Sequence, residues 1–167
     1  MTRNNKGEIL DKGIILFVCT GNTCRSVMAQ ALFRKLKDKF APDLNYQADS
    51  AGIRAIEGFP PTEETIICMA KQGLDIRAHK AKSIDNKIIK KSSLILTMTQ
   101  QQQISLKKQF PLSINKIFLF RPFCLRNKRT KNQDIEDPYG KSVLFYENIC
   151  RQLEDDINKL INRLREE

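Results

Sequence analysis

The stretch from Ile14 to Ser26 reads IILFVCTGNTCRS, and the fold follows from it. Ile14 to Val18 form a short continuous apolar run rich in β-branched residues, the pattern of a strand buried on both faces. CTGNTCRS follows at once, and Met28, Ala31, Leu32 and Leu36 then recur at helical spacing until the pattern closes near Lys39. Strand, tight loop and helix make half of an α/β unit, and the alternation continues along the chain. A second strand is expected over Asn45 to Ala48, with SAG at Ser50 to Gly52 as a turn. Thr62 to Gln72 reads as a helix stopped by Gly73, and Ser83 as the N-cap of a short helix reaching Lys90. SLILTM, Ser93 to Met98, is the third strand, Gln100 to Gln109 a helix ended before Pro111, and KIFLF, Lys116 to Phe120, the fourth strand. From Val143 onward, Ile149, Leu153, Ile157, Leu160 and Leu164 mark a long amphipathic helix. Strands alternating with helices imply a parallel sheet covered on both faces.

Composition narrows the class. The 167 residues suit one domain, expected over 13–167 behind a polar extension at 1–12, and 41% hydrophobic with 29% charged residues is ordinary for a folded chain. Ile14 to Val18, the longest strongly apolar run, is far too short for a membrane span. MTRNNKGEILDKG lacks the apolar core and cleavage site of a secretory signal, so the expected location is cytoplasmic. The five cysteines Cys19, Cys24, Cys68, Cys124 and Cys150 show neither paired CxxC spacing nor a histidine pattern, which argues against structural zinc and a disulfide framework. The net charge of +10 suggests an anionic partner. A basic nucleic-acid-binding module is the competing class, supported by RPFCLRNKRTK at Arg121 to Lys131 and by Arg77, Lys80, Lys82, Lys87, Lys90 and Lys91. Without a binding motif, with no Trp and only 7% aromatics, specific nucleic-acid binding is not expected.

The loop itself supplies the sharper reading. Between a strand and a helix N-terminus, the amides of CTGNTCR would point inward and cradle a tetrahedral oxyanion, with Gly21 allowing the bend. Arg25, six positions after Cys19, would close the ring with bidentate hydrogen bonds. Cys19 would then lie at the bottom, where the same donors favour the nucleophilic thiolate and Ser26 would stabilise it as a leaving group. No metal or other cofactor is required.

VCTGNTCRS resembles the nucleophile loop of the low-molecular-weight protein-tyrosine phosphatase family, and DPYG at Asp137 to Gly140 resembles its general-acid motif. SAG at Ser50, the single histidine His79 and LILTMT extend the similarity over nearly the whole chain after residue 12. The resemblance implies a doubly wound, flavodoxin-like α/β fold with a four-stranded parallel sheet in order 2-1-3-4 and the loop at the carboxyl end of the first strand. It implies that Cys19 forms a phosphocysteine intermediate, that Arg25 binds the phosphoryl oxygens, and that Asp137 protonates the leaving group and then activates water. Thr20, Gly21, Asn22, Thr23, Cys24 and Tyr139 would bind substrate. His79, with Asn22, Ser26 and Ser50, would support the loop, Asn22 adopting a left-handed conformation. Cys24 matches the residue that pairs reversibly with the nucleophile against over-oxidation. The partners implied are phosphorylated proteins, met by a monomer.

Arsenate reductases share the loop but add cysteines after the third strand, where this chain has TMTQQQQIS; that reading is disfavoured. Within the family the sequence looks most like the bacterial protein-arginine phosphatases, because Thr23 stands where tyrosine-specific members usually carry a bulky aliphatic residue. Phosphoarginine is the expected substrate, phosphotyrosine the alternative. Val27 and Gln30 depart from the Pro and Glu of many members.

Overall fold

The computed structural model describes residues 13–126 and 133–166, and the polar extension at 1–12 and the basic residues 127–132 lie outside them. Four parallel strands, β1 (Ile14–Cys19), β2 (Gln47–Gly52), β3 (Ser92–Thr97) and β4 (Ile117–Leu119), stand in the order β2-β1-β3-β4. The helices are α1 (Arg25–Phe40), α2 (Glu63–Lys71), α3 (Asn86–Lys91), α4 (Gln100–Gln109), α5 (Phe120–Leu125) and α6 (Val143–Glu166), with a 3-10 turn over Pro111–Lys116.

Alternation along β1 divides the core. Ile15, Phe17 and Cys19 face α1, α2, α5 and α6, while Leu16 and Val18 join Ile89, Leu106 and Ile117 on the other side. Phe17 anchors the larger cluster between Phe33 and Phe120, at ring distances of 6.0 and 5.9 Å. The apolar stripe of α6 is buried there, through Ile149, Leu153, Ile157, Leu160 and Leu164.

Several boundaries differ from the sequence expectation. SAG is not a turn but the end of β2, in register with Phe17, Val18 and Cys19. Small residues suit that register because the strand passes close under the loop: a Cβ on Gly52 would lie 2.6 Å from the Thr20 carbonyl oxygen. Ser83 does not cap a helix; it bridges to Gly52, and Asp85 caps α3 instead, its carboxylate accepting from the Ile88 amide at 2.7 Å. β3 starts and ends one residue earlier, and β4 is shortened because Phe120 opens α5.

The termini of the helices prepare the site. Thr62 caps α2, and Thr99 with Gln102 forms a reciprocal capping box on α4. α1 has no side-chain cap and no acidic residue in its first turn, so its leading amides are left directed at the loop that precedes it. Replacing Gly52 by alanine should force the loop and β2 apart and lower stability by about 1–3 kcal/mol, read from urea unfolding, whereas Gly58→Ala, where no atom crowds the site, should not act through a clash.

Candidate active site

β1 ends at Cys19, α1 begins at Arg25, and the five residues between them form the loop. Asn22 is its pivot. Its φ of 56° lies in the left-handed region, which asparagine occupies more readily than most residues. The Asn22 backbone amide donates to Cys19 Sγ at 3.3 Å, and its carbonyl accepts from His79 Nε2 at 3.0 Å.

The Asn22 side chain ties together the groups around the thiol. Its Oδ1 accepts from the Lys82 amide at 3.0 Å, so Nδ2 must be the donor, and it donates to Ser26 Oγ and Ser50 Oγ, both at 2.9 Å. Ser50 passes its hydrogen to Gln30 Oε1 at 2.6 Å, and Gln30 Nε2 donates to the Ala48 carbonyl at 3.3 Å. Ser26 Oγ accepts from Asn22 and lies 2.9 Å from Cys19 Sγ, where its hydrogen can turn to a thiolate. Cys19 Sγ thus has one backbone amide donor and one serine hydroxyl within hydrogen-bond reach.

Arg25 is 4% exposed and is gripped from the segment before α6. Its Nη1 donates to the Ile135 carbonyl at 2.9 Å and its Nη2 lies 3.0 Å from Asp137 Oδ2. Nε is buried without an acceptor among the described residues. Asp137, 56% exposed, is oriented by the Tyr139 amide, which donates to Oδ1 at 3.1 Å. Ile135 is itself pinned by its amide on the Met98 carbonyl at 2.8 Å, so the end of β3 positions the Asp137 segment.

Thr20, Arg25 and Asp137 line one cavity of about 1120 Å³ with Arg54, Gln102 and Glu136. Thr23 is half-buried and Tyr139 is 71% exposed. The Cys24 thiol is buried and turned toward α2 and α6, 3.5 Å from both Thr62 Oγ1 and Tyr146 Oη. Burial raises the Tyr146 phenol well above its ordinary range, so it remains a hydrogen-bond donor. All five cysteines are free thiols.

Gln30 and Gln102 complete the site, and sequence reading gave neither a role. Gln30 lies four residues after Ser26 on α1, on the same helical face. Gln102 stands three residues after Thr99, the spacing of a capping box, and its Nε2 also donates to Thr20 Oγ1 at 3.1 Å.

The family model of low molecular weight phosphotyrosine protein phosphatases matches residues 14–167. The chain belongs to this family. Curated relatives include the protein-arginine-phosphatase of Geobacillus stearothermophilus, 33% identical over 152 residues that cover 91% of this chain and 93% of that one. A probable low molecular weight protein-tyrosine-phosphatase, EpsP of Ralstonia solanacearum, is 31% identical over 151 residues, 90% of this chain and 95% of its own. The crystal structure of a low molecular weight protein tyrosine phosphatase from T. tengcongensis is 38% identical and superposes with a TM-score of 0.82, over 90% of this chain and 99% of that one. This low-molecular-weight phosphatase is thus a cysteine-based protein phosphatase with the family's α/β fold. Among the described residues no helix is long and apolar enough to cross a membrane.

In this phosphatase His79 meets the loop at the Asn22 carbonyl, and burial lowers its pKa from the ordinary 6.5 more than that hydrogen bond raises it. The neutral ring therefore carries its hydrogen on Nε2. Below 6.5 the unfolded chain binds the proton more readily than the folded one, so stability rises with pH in that window and is lost on acidification. Melting temperatures taken between about pH 7.5 and 5.5 should fall less steeply in His79→Gln than in the unmodified protein. Equal slopes would remove His79 from the account.

Proposed function

We propose that the enzyme hydrolyses phosphoarginine side chains of proteins through a phosphocysteine intermediate. The observation that carries the catalytic part is the convergence of the Ser26 hydroxyl and the Asn22 amide on Cys19 Sγ, beside an Arg25 guanidinium with one buried donor that has no acceptor among the described residues. An unpaired buried donor costs roughly 1–3 kcal/mol, and a phosphoryl oxygen seated over the loop supplies its acceptor. The uncapped amides of α1 supply further donors to the same anion.

Cys19 attacks phosphorus as the thiolate, the P–N bond breaks, and protonated Asp137 gives its proton to the departing guanidine nitrogen. Asp137 then takes a proton from the water that attacks the phosphocysteine; the S–P bond breaks, phosphate leaves, and the Cys19 thiolate returns with Ser26 donating to it. Asn22, Ser50 and His79 hold the loop throughout. Thr20, Gly21, Thr23 and the Cys24 backbone belong to the substrate cradle, and the exposed Tyr139 ring walls its mouth. Oxidation of Cys19 by hydrogen peroxide, followed by attack of Cys24 to form a disulfide and release water, would require Cys24 to leave Thr62 and Tyr146.

Thr23 supports phosphoarginine over phosphotyrosine. Its hydroxyl lies 3.7 Å from Cys24 Sγ at the half-buried edge of the loop, where a small polar side chain leaves space for a planar guanidinium that Asp137 can pair with. The protein-arginine-phosphatase of Geobacillus stearothermophilus is consistent with this choice. The tyrosine reading rests on the relatives that carry that name.

Comparison of kcat/KM on phosphoarginine and phosphotyrosine peptides decides between them. The unmodified enzyme should favour phosphoarginine, and Thr23→Ile should shift the ratio toward phosphotyrosine by roughly tenfold or more. A preference for phosphotyrosine in the unmodified enzyme overturns the substrate assignment. Cys19→Ser should abolish turnover, and Asp137→Asn should slow it most for poor leaving groups; substantial activity in Cys19→Ser would rule out the phosphocysteine route.

A further inference from the structure

The cavity beside the catalytic loop contains a second arginine that the chemistry above does not use. Arg54 follows the end of β2, and the backbone fixes it against the loop: the Ile53 amide donates to the Cys19 carbonyl at 3.0 Å and the Arg54 amide to the Thr20 carbonyl at 2.9 Å. Its exposed side chain lines the same cavity as Arg25 and Asp137.

The neighbouring cations are committed elsewhere. Arg25 is paired with Asp137 and the Ile135 carbonyl, Lys82 with Asp49 at 2.7 Å, and Arg34 with the Ala48 carbonyl at 2.7 Å. On the acidic side, Asp134, Glu136 and Asp137 line the same cavity; Asp134 accepts from the Gln100 amide at 2.8 Å, Asp137 is paired with Arg25, and among the described residues none of the three pairs with Arg54. The Arg54 side chain has no hydrogen bond or ion pair among the described residues, although the Ile53 and Arg54 amides both hold its backbone. A guanidinium placed by rigid backbone, unneutralised, and sharing a cavity with the phosphoryl-binding arginine suits a second anionic group on the same substrate. Its fork of donors matches a carboxylate.

We propose that Arg54 is a specificity residue that selects phosphorylated sites flanked by aspartate or glutamate. The proposal rests on the protein-phosphatase reading of the Cys19 loop but is independent of whether the phosphorylated residue is arginine or tyrosine. The complement is a carboxylate side chain adjacent in the peptide to the residue whose phosphoryl group Arg25 holds. Because Arg54 is exposed, its contribution is modest and sensitive to salt.

The test measures kcat/KM on matched phosphopeptides bearing Asp, Ala or Lys beside the phosphorylated residue, prepared in phosphoarginine and phosphotyrosine series. In the better series the unmodified enzyme should favour Asp over Lys by about fivefold, an advantage that shrinks as salt is raised. Arg54→Glu should reverse the order, and Arg54→Lys should retain its direction. An Asp-to-Lys ratio near one in the unmodified enzyme, or the same ratio in Arg54→Glu, overturns the proposal. The flank effect is read within each series, whereas the phosphoarginine assignment is read between them, so either fails without the other. Loss of turnover on every peptide and on para-nitrophenyl phosphate would overturn both.

Discussion

The site depends on the conformation of one residue. Asn22 sits at positive φ, and that turn of the backbone aims its own amide at the Cys19 sulfur while its carbonyl faces His79. Its side chain, buried completely, then reaches α1 through Ser26, β2 through Ser50 and the segment before α3 through the Lys82 amide. An aspartate of the same shape tolerates the backbone but has no N–H to give either serine. Glycine tolerates the backbone and offers no side chain at all. Asparagine alone among these meets the conformational and the hydrogen-bonding requirement, and the loop geometry follows from both being met at one position.

The neutral amide at the far end of this network has a related role. Gln30 receives the Ser50 hydrogen and gives its own to the Ala48 carbonyl, which Arg34 also approaches at 2.7 Å. A carboxylate in place of Gln30 would still accept from Ser50 but would offer the Ala48 carbonyl nothing. The departure from the Glu of many members thus leaves the direction of the Ser50 hydroxyl intact, so that Ser50 Oγ still accepts from Asn22. Val27, the other departure, is buried in the core at the first turn of α1, so packing holds the helix start where proline would preset its φ.

Much of the architecture was legible because it is local. IILFV followed by a loop and a periodic apolar stripe announces β1 and α1 without reference to anything distant, and the Leu153, Ile157, Leu160, Leu164 stripe announces α6. SAG has the composition of a turn and the structure of a strand end, because turns and close strand contacts use the same small residues and only the pairing with Phe17 to Cys19 distinguishes them. Ser83 looked like a cap because serine suits that position; Asp85, two residues on, makes the bond. In the site, Cys19, Arg25 and Asp137 are side chains with recognisable neighbours in sequence. The Ile135 and Asn22 carbonyls and the Lys82 amide are backbone groups, which carry no residue signature, and their parts in the site emerge only from the fold.

The pairing of Arg25 with Asp137 links binding to proton transfer in the proposed mechanism. Arg25 Nη2 lies 3.0 Å from Oδ2 of Asp137, the group that gives the proton in the first step of that mechanism. A phosphoryl group over the loop competes for the guanidinium with its own oxygens and brings negative charge toward Asp137. Once phosphate leaves, the guanidinium is again available to Asp137. In that mechanism one arginine touches both the phosphoryl group and the acid, and the Ile135 carbonyl, held by the end of β3, keeps Arg25 within reach of both.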